Sequence, residues 1–330
     1  MRLRVAWFSV PAFAAAAFLV SLAAEAQQAK VYRVGVLSQG SPPAPGNPPG
    51  ILEKALHDLG YIEGRNIVFD RRWAEGKNER FSSLATELVA LKPDAIVADT
   101  TAGAIAVKRA TATIPIVMHQ VSDPVGSGLV ASLARPGSNV TGVANLETEL
   151  HVKGVELLHA VVPKARRLAV LMSDNPVHPS QLKTIQGAAG GRGLTVLPSM
   201  VRSLEEFEGA FASMTKQNAD ALIVFGGAPF STPAQRDKLV ELAAKTKLPT
   251  MYRGRIYVDA GGLLSYGSSG VQRLRLVAAY VDKILKGANP ADLPVQQPTE
   301  FELVINLKTA KALGLTIPQS MLIRADALIQ

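Results

Sequence analysis

The sequence predicts an α/β protein made of two similar lobes, each built on a parallel sheet. Short apolar strands alternate with amphipathic helices along the chain, a pattern that favours parallel sheets with helices on both faces. A set of strand motifs also occurs twice in the same order. At 330 residues, the chain exceeds the size at which one hydrophobic core usually keeps growing. Two lobes leave a cleft between them, where small molecules commonly bind.

The repeat pairs three segments of the first half with three of the second. The pairs are 33–38 with 167–172, 92–98 with 218–224, and 113–117 with 247–251. The interval from Asp94 to Pro115 is shorter than that from Asp220 to Pro249, and the extra residues of the second copy fall around 226–232. We therefore expect a shared scaffold with different cleft walls.

In the first lobe, apolar runs predict strands and amphipathic runs predict helices. The segment 41–50 is rich in proline and glycine, which excludes regular structure there. The predicted strands are 31–37, 67–72, 95–98 and 116–118, and the predicted helices are 51–59, 80–91 and 102–110.

The second lobe begins with the same alternation. Ser203 with Glu206, and Thr232 with Gln235, have the spacing of capping boxes that open helices. Pro233 stands at the first helical position of the second box. The predicted strands are 168–172, 195–197 and 221–225, and the predicted helices are 151–161, 181–189, 203–217 and 232–246.

The last part of the chain breaks the alternation. Its predicted elements are strands 261–266 and 301–306 and helices 271–286 and 307–313, with a proline-rich connector at 289–298. We expect these elements to complete both lobes, so that lobe 1 contains 31–145 plus about 263–297 and lobe 2 contains 146–262 plus about 298–330. The chain then crosses between lobes more than once, which suits a hinge that closes on a ligand.

The N-terminus has the pattern of a secretory signal peptide. Basic residues at 1–4 precede an apolar stretch at 5–24, and Ala24-Glu25-Ala26 fits the small-x-small cleavage rule. We expect residues 1–26 to be removed after Ala26 and the mature protein to lie in the periplasm of a Gram-negative host. The alternative is an uncleaved anchor, because about 20 apolar residues can just span a bilayer.

Composition excludes several function classes. The chain has no cysteine, so disulfides, thiolate zinc sites, iron–sulfur clusters and a thiol nucleophile are absent. The net charge is +8, but the basic residues are scattered, which favours a solvated basic surface over a nucleic-acid interface. We expect no nucleic-acid partner and no metal or cofactor.

Several motifs together resemble a bacterial family of substrate-binding proteins of ABC importers. The motifs lie at 59–66, 72–76, 123–137, 139–142, 261–267 and 301–314. This family is related to the tryptophan- and tyrosine-binding lipoproteins of Gram-positive bacteria, and the resemblance covers residues 31–330. It implies the type I periplasmic-binding-protein fold, with two Rossmann-like lobes, three crossovers and a ligand cleft. It also implies a monomer that delivers a small organic ligand, such as an amino acid or aromatic compound, to an ABC permease and its ATPase.

The chain departs from this family in two ways. Its proline-rich loop at 41–50 is unusual, and that loop lies where the family begins its ligand pocket. No cysteine follows the apolar N-terminal stretch, so the resemblance implies a soluble periplasmic form in place of a lipoprotein.

Candidate ligand residues follow from the rule that ligands bind beyond the carboxyl ends of parallel strands. Ser38 and Gln39 follow the first strand. Thr100 and Thr101 open a helix whose N-terminus could hold a carboxylate, although a helix-capping role is an equal alternative. Asp123 follows the fourth strand and could pair with an ammonium group, or could only shape a turn.

The remaining candidates lie at the first crossover, in the second lobe and near the hinge. Asn145 could hydrogen-bond a ligand, and Asn175 could do so or only shape a turn. Gly226 permits close backbone approach. Tyr252 could stack on a planar ligand and Arg253 could bind a carboxylate through two hydrogen bonds. Tyr266 could line the site or pack in the hinge.

Two other functions are compatible with parts of the sequence. His119 and Asp123 could form an acid/base pair, with His178 facing them from the other lobe's loop, but no catalytic motif accompanies them. The same fold could also serve a sensor that presents its closed form to a membrane receptor or kinase. The sequence favours a periplasmic solute-binding protein over an enzyme and leaves importer and sensor open.

Overall fold

The computed structural model describes residues 30–44, 46–47 and 50–330. The predicted signal peptide lies outside the described residues. The first part of the chain forms strands β1 (Tyr32–Ser38), β2 (Ile67–Trp73), β3 (Ala95–Asp99), β4 (Ile116–Val121) and β5 (Val140–Ala144), and helices α1 (Ile51–Asp58), α2 (Phe81–Ala90) and α3 (Thr100–Ala110).

The second part supplies the remaining elements. Its strands are β6 (Arg167–Met172), β7 (Thr195–Met200), β8 (Ala221–Val224), β9 (Thr250–Tyr252), β10 (Leu264–Ser268), β11 (Phe301–Asn306) and β12 (Ala327–Ile329). Its helices are α4 (Glu147–Val161), α5 (His178–Gly190), α6 (Phe207–Lys216), α7 (Pro233–Lys245), α8 (Arg255–Asp259), α9 (Gly270–Leu285), α10 (Leu307–Ala312) and α11 (Gln319–Arg324).

These elements build two sheets. The five-stranded sheet has the order β2-β1-β3-β4-β5 and the seven-stranded sheet has the order β12-β11-β10-β9-β8-β6-β7. All neighbouring strands are parallel except β10 and β11, which pair antiparallel. The predicted α/β class with two parallel-dominated sheets is therefore confirmed.

Each sheet is buried on both faces. In lobe 1, Leu88 lies in the core cluster on one face and Leu56 in the cluster on the other. In lobe 2, Ile185 and Phe211 mark the two corresponding clusters. Burial on both sides explains why the strands are almost continuously apolar instead of alternating.

The sequence repeat has a clear structural cause. Asp94 accepts a hydrogen bond from the backbone N–H of Arg33 at 2.8 Å, and Asp220 accepts one from the N–H of Arg167 at 2.8 Å. The backbone N–H of each aspartate in turn donates to the carbonyl of the same arginine. The Asp-Ala motif thus ties the first and third strands of each lobe together in the same way.

The chain crosses between lobes at three points. The first crossover follows β5 at Asn145, the second follows β10 at Ser268, and the third lies between Gln296, which pairs with Val143, and β11. Ser268 Oγ donates to Asn145 Oδ1 at 3.3 Å, so the crossovers contact one another. Neighbouring connections of this kind bend together as a hinge.

The lobe boundary near residue 263 differs from the expectation. The segment from about 263 was assigned to lobe 1, but β10 pairs with β9 and β11 in the seven-stranded sheet. The second crossover therefore comes after Ser268. Helix α9 then packs on lobe 1, where Val277 and Val281 join the core cluster that contains Leu56.

One of the two predicted capping boxes forms. Thr232 Oγ1 accepts from the Gln235 N–H, and the Gln235 side chain accepts from the Thr232 N–H, as predicted. Ser203 makes no capping hydrogen bond; Glu206 instead accepts from the backbone N–H of Arg202 at 2.8 Å. Among the described residues, no helix is both long and apolar enough to span a membrane.

Candidate functional site

A cleft of about 1150 Å³ separates the two sheets. It lies beyond the carboxyl ends of parallel strands, where α/β folds place their ligand sites. From lobe 1 it is lined by residues that include Ser38 and Gln39 after β1, Asp99 at the end of β3 and Gln120 in β4. Its volume is at the upper end for a small-molecule site.

An ion pair bridges elements of lobe 2 in the cleft. Arg253, directly after β9, donates from Nη1 to Glu147 Oε1 at 2.9 Å. The Arg253 side chain is 25% exposed and that of Glu147 is 8% exposed. Arg253 Nη2 also donates to the side-chain oxygen of Gln120 in lobe 1, so Arg253 joins the lobes.

Glu147 is held ionised by its neighbours. Burial by itself raises its pKa, but Arg253, His151 and the Ser122 hydroxyl together lower the pKa below its ordinary value. Ser122 Oγ donates to Glu147 Oε2 at 2.7 Å, and Asn145 Nδ2 donates to Oε1 at 3.1 Å. The carboxylate at the start of α4 therefore has every partner it needs within the protein.

Among the described residues, no carboxylate lies within ion-pair distance of Arg273. Its Nη1 donates to Ser268 Oγ at 2.5 Å and to the Ser268 carbonyl at 3.4 Å, and its Nε is buried without a partner among the described residues. Burial and the charge of Arg253 lower the Arg273 pKa to about 10. The guanidinium remains charged at neutral pH, and the charges of Asp99 and Glu147 act on it without direct contact.

Asp99 is a carboxyl group that lines the same cleft, and the charges of Arg253 and Arg273 act on it without direct contact. Its Oδ1 accepts from Gln120 Nε2 at 3.0 Å, and its Oδ2 accepts from the Gln39 N–H at 3.4 Å. Burial raises the Asp99 pKa despite these bonds. In the part of the chain that the structure describes, no lysine, arginine or histidine lies within ion-pair distance of Asp99.

Gly226 makes room for the ion pair. A Cβ at this position would overlap Arg253 Nη1 and would stand 2.9 Å from Cζ and 3.2 Å from Glu147 Oε1. Gly226 therefore lies behind the charged pair, in the wall of lobe 2, and does not itself line the cleft. Any larger residue here forces Arg253 to move.

The lobes are in contact across the cleft. Besides the Arg253–Gln120 bond, Asn78 Nδ2 donates to Asp174 Oδ1 at 3.2 Å, and Ser231 Oγ donates to the Gln39 carbonyl at 3.5 Å. These contacts join residues from opposite lobes, so the described arrangement is a closed one.

The cleft brings together about half of the predicted site residues. Those that line it are Ser38, Gln39, Asn145, Tyr252, Arg253 and Tyr266. One of them, Tyr252, is held differently from the expectation. The Tyr252 ring is 2% exposed and stacks on Tyr257 at 5.2 Å, so it packs in the core. Tyr266 stacks on Phe301 at 6.1 Å and keeps part of its surface in the cleft.

The predicted residues of lobe 1 that do not line the cleft have structural roles. Thr100 Oγ1 accepts from the Gly103 N–H at 3.4 Å, which is a capping contact, and Thr101 is buried. Asp123 is exposed, and its Oδ1 accepts from the Gly126 N–H at 2.7 Å. The cap interpretation therefore describes Thr100 and the turn interpretation describes Asp123, whereas the buried Thr101 hydroxyl has no hydrogen-bond partner among the described residues.

Asn175 takes the turn-shaping alternative, and the histidines differ from the expectation. Asn175 Oδ1 accepts from the Val177 N–H at 3.2 Å, which shapes the turn before α5. His178 is buried in lobe 2, where its Nδ1 lies 2.9 Å from the Ser173 carbonyl. His119 makes no hydrogen bond with Asp123, which is engaged in its own turn, so the acid/base pair does not form.

Sequence reasoning missed several polar residues of the cleft. They include Asp99, Gln120, Glu147, Ser268 and Arg273. Ser268 and Arg273 flank the junction between a predicted strand and a predicted helix, so the strand-end rule could have found them. Gln120 has a positive φ of 56° at an irregularity between β4 and β5, which the sequence does not signal.

Buried histidines predict a pH-dependent stability. Burial lowers the His151 pKa from 6.5 to about 4, and it lowers the pKa of His119 and His178 as well. Because the unfolded chain binds these protons more readily, we expect the free energy of unfolding to rise with pH between about 4 and 6.5. Urea unfolding at pH 5 and pH 7 measures this difference.

The matched variants are His151→Asn and His57→Asn. His151→Asn is expected to reduce the stability gained between pH 5 and pH 7. His57 is exposed, so its replacement is expected to leave that gain unchanged. An equal pH dependence in wild type and His151→Asn contradicts the assignment.

Two parallel-sheet lobes joined by three crossovers and closed over a charged cleft define a two-lobe ligand-binding protein. The family model described as "ABC transporter substrate binding protein" matches residues 43–329. The chain belongs to this family of substrate-binding proteins. The family and its relatives bind ligands, so this chain is a binding protein and not an enzyme.

Individual relatives agree with this assignment. A tyrosine-binding protein of Clostridioides difficile (strain R20291) is 30% identical over 270 residues, which covers 79% of this chain and 75% of the relative. A conserved domain protein from Vibrio cholerae has 30% identity and a TM-score of 0.82, covering 91% of this chain and 100% of that one. These matches confirm the type I periplasmic-binding-protein fold.

Two further similar structures differ in whether they contain a ligand. A domain from Streptococcus pneumonia in complex with L-Trp has 29% identity and a TM-score of 0.80, covering 91% of this chain and 100% of that one. A ligand-free, open substrate-binding protein from Clostridium difficile has 26% identity and a TM-score of 0.62, covering 91% and 99%. The higher score against the ligand complex agrees with the closed arrangement.

Proposed function

We propose that this protein captures a zwitterionic amino acid in the cleft and delivers it to an ABC importer. The observation that carries the proposal is the pair Arg273 and Asp99, which line the same closed cleft and have no ion-pair partner among the residues that the structure describes. Charges shielded from bulk water are costly unless they are paired. A ligand carboxylate would pair with Arg273 and a ligand ammonium would pair with Asp99.

The charge balance supports a ligand with no net charge. Arg253 and Glu147 neutralise each other at 2.9 Å, and Arg255 pairs with Glu302. Of the other charged residues that line the cleft, Glu300 is exposed and Asp326 accepts from the Leu303 N–H, which leaves Arg273 and Asp99 as the two groups proposed to meet the ligand. A free anion would satisfy Arg273 and leave Asp99 unpaired, and a free amine would do the reverse. Only a ligand that carries both charges satisfies both residues.

The apolar part of the cleft supports an apolar or aromatic side chain on the ligand. Tyr266 and Phe301 stack on each other in the wall. Ile256 of lobe 2 and Val271 of lobe 1 are 57% and 44% exposed at its edge. The tyrosine-binding and tryptophan-bound relatives have ligands of this kind.

The family supports delivery to a permease and its ATPase. We propose that residues 1–26 are a signal peptide cleaved after Ala26 and that the mature chain acts as a monomer in the periplasm. A sensor would use the same cleft, but the family is one of ABC transporter proteins, and import is therefore the role proposed.

A thermal-shift panel tests the ligand class. The ligands are L-tryptophan, L-tyrosine and L-phenylalanine, with tryptamine and indole-3-propionate as controls that lack the carboxylate and the ammonium. At a concentration 100 times Kd, a bound ligand stabilises the protein by about 2.7 kcal/mol. We expect at least one amino acid to raise the melting temperature and neither control to do so. Equal shifts with a control, or no shift with any amino acid, overturn the proposal.

A further inference from the structure

The turn after β2 contacts the opposite lobe, a feature that ligand binding alone does not explain. This segment, residues 74–78, is here termed the closure turn, and it contains the end of the motif at 72–76. The Ala74 N–H donates to the Ser38 carbonyl at 2.8 Å, and the Gly76 N–H donates to the Gln39 carbonyl at 2.8 Å. The turn is thus fixed to the residues of lobe 1 that line the cleft.

The closure turn lies directly against lobe 2. At Gly76, a Cβ would stand 2.6 Å from Gln235 Nε2 and 3.0 Å from the Ala228 carbonyl oxygen. Both distances are shorter than ordinary van der Waals contact, and Gly76 also has a positive φ of 74°. Two positions along, Asn78 donates to Asp174 of lobe 2. Only glycine permits this approach of the two lobes.

The surface that Gly76 meets is rigid. Gln235 Oε1 accepts from the Thr232 N–H at 3.0 Å and from the Ser231 N–H at 3.2 Å, as part of the capping box that opens α7. The Gln235 side chain cannot swing aside without losing the cap. The Ala228 carbonyl belongs to the backbone and cannot yield either. A larger residue at position 76 must therefore hold the lobes apart.

We propose that Gly76 is a positioning residue for ligand capture, because its missing side chain lets the closure turn dock on the capped start of α7 when the lobes close. The closed state binds the ligand, so the fraction of molecules that can close scales the apparent affinity. Residue 76 then tunes affinity without touching the ligand. This inference rests on the proposed binding of a ligand in the cleft.

The test compares Gly76→Asn with Gly64→Asn. Asparagine tolerates the left-handed backbone better than other non-glycine residues, so the added side chain is the main change. Gly64 also has a positive φ, 81°, and a Cβ there meets nothing within 4 Å. It is a matched control for the backbone cost.

Two readouts follow closure. The chain has no cysteine, so Ser82→Cys in lobe 1 and Lys245→Cys in lobe 2 carry a fluorophore pair for single-molecule energy transfer, recorded with and without L-tryptophan. Calorimetry gives the Kd for L-tryptophan. We expect Gly76→Asn to reduce the closed population and to raise Kd by about tenfold or more. We expect Gly64→Asn to stay within about twofold of wild type.

Each outcome decides between the claims. Closed populations and Kd values that are the same in Gly76→Asn and Gly64→Asn overturn the role of Gly76. Wild-type protein that closes but does not bind L-tryptophan contradicts the proposed ligand, while the closed populations of the two variants still decide the role of the turn. A melting temperature lowered equally in both variants, with the closed population unchanged, also overturns the role of Gly76.

Discussion

Replacing Arg253 with glutamine is expected to weaken ligand binding, because the closed cleft loses a contact between the lobes, and to destabilise the protein by about 3 kcal/mol, the lower end of the range for breaking a buried ion pair. The lower end applies because a quarter of the Arg253 side chain faces the cleft. The variant leaves Glu147 charged and 8% exposed with no cation beside it. It also removes the bond from lobe 2 to Gln120 in lobe 1.

The control for this variant is Arg255→Gln. Arg255 lies two positions along the chain and pairs with Asp259 and Glu302, but its side chain is 49% exposed. Exposed pairs contribute about 0.2–1 kcal/mol. Urea unfolding measures both variants, and calorimetry measures their ligand affinity. Similar losses of stability in the two variants would show that the Arg253–Glu147 pair is not a special element of the cleft.

Replacing Gly226 with alanine is expected to have the second largest effect. The new methyl group would occupy the space of the Arg253 guanidinium, so the side chain must leave Glu147 or the wall must shift. Overpacking of this kind costs about 1–3 kcal/mol, and the displaced ion pair adds to it. We expect a weaker affinity for the ligand, by about tenfold or more, because Arg253 also contacts lobe 1.

Gly209→Ala is the control, and its expected effect has the opposite sign. Gly209 is exposed in α6, and a Cβ there meets nothing within 4 Å. Alanine in a helix is about 0.5–1 kcal/mol more favourable than glycine, so this variant is expected to gain stability with no change in affinity. A Gly226→Ala protein as stable as wild type would contradict the proposed packing.

The sequence predicted the fold well because its signals are local or repeated. Apolar runs and the capping box at Thr232 report local structure. The Asp-Ala motifs around Asp94 and Asp220 are repeated because each makes the same contact between two strands of its lobe. The boundaries between the lobes were predicted less accurately than the elements themselves. Strand β10 was placed near the right residues but in the wrong lobe, because its partners β9 and β11 are set by long-range pairing that periodicity does not reveal.

The site was predicted less completely than the fold. The strand-end rule found Ser38, Gln39 and Arg253, which line the cleft. The same rule suggested Asp123, whose carboxylate instead accepts from the Gly126 N–H in a surface turn. A strand end can point its polar residue into the cleft or into a turn, and the sequence does not distinguish the two cases.

The residues that the strand-end rule missed depend on contacts between distant parts of the chain. Glu147 is the first residue of α4, just after the first crossover, and its importance comes from a contact with Arg253 that is distant in sequence. Arg273 stands on α9, which leaves lobe 2 and packs on lobe 1. Residues of this kind become visible only when the crossovers are known.

The most direct measurement is a calorimetric titration of the mature protein with L-tryptophan and, in parallel, with indole-3-propionate, which has the same ring and carboxylate without the ammonium group. Asp99 and Arg273 together predict that L-tryptophan binds at least about 100-fold more tightly. Because indole-3-propionate has no ammonium group, its complex would leave the Asp99 carboxylate without a partner in the cleft. Equal affinities for the two compounds would contradict the claim that the cleft recognises a zwitterion.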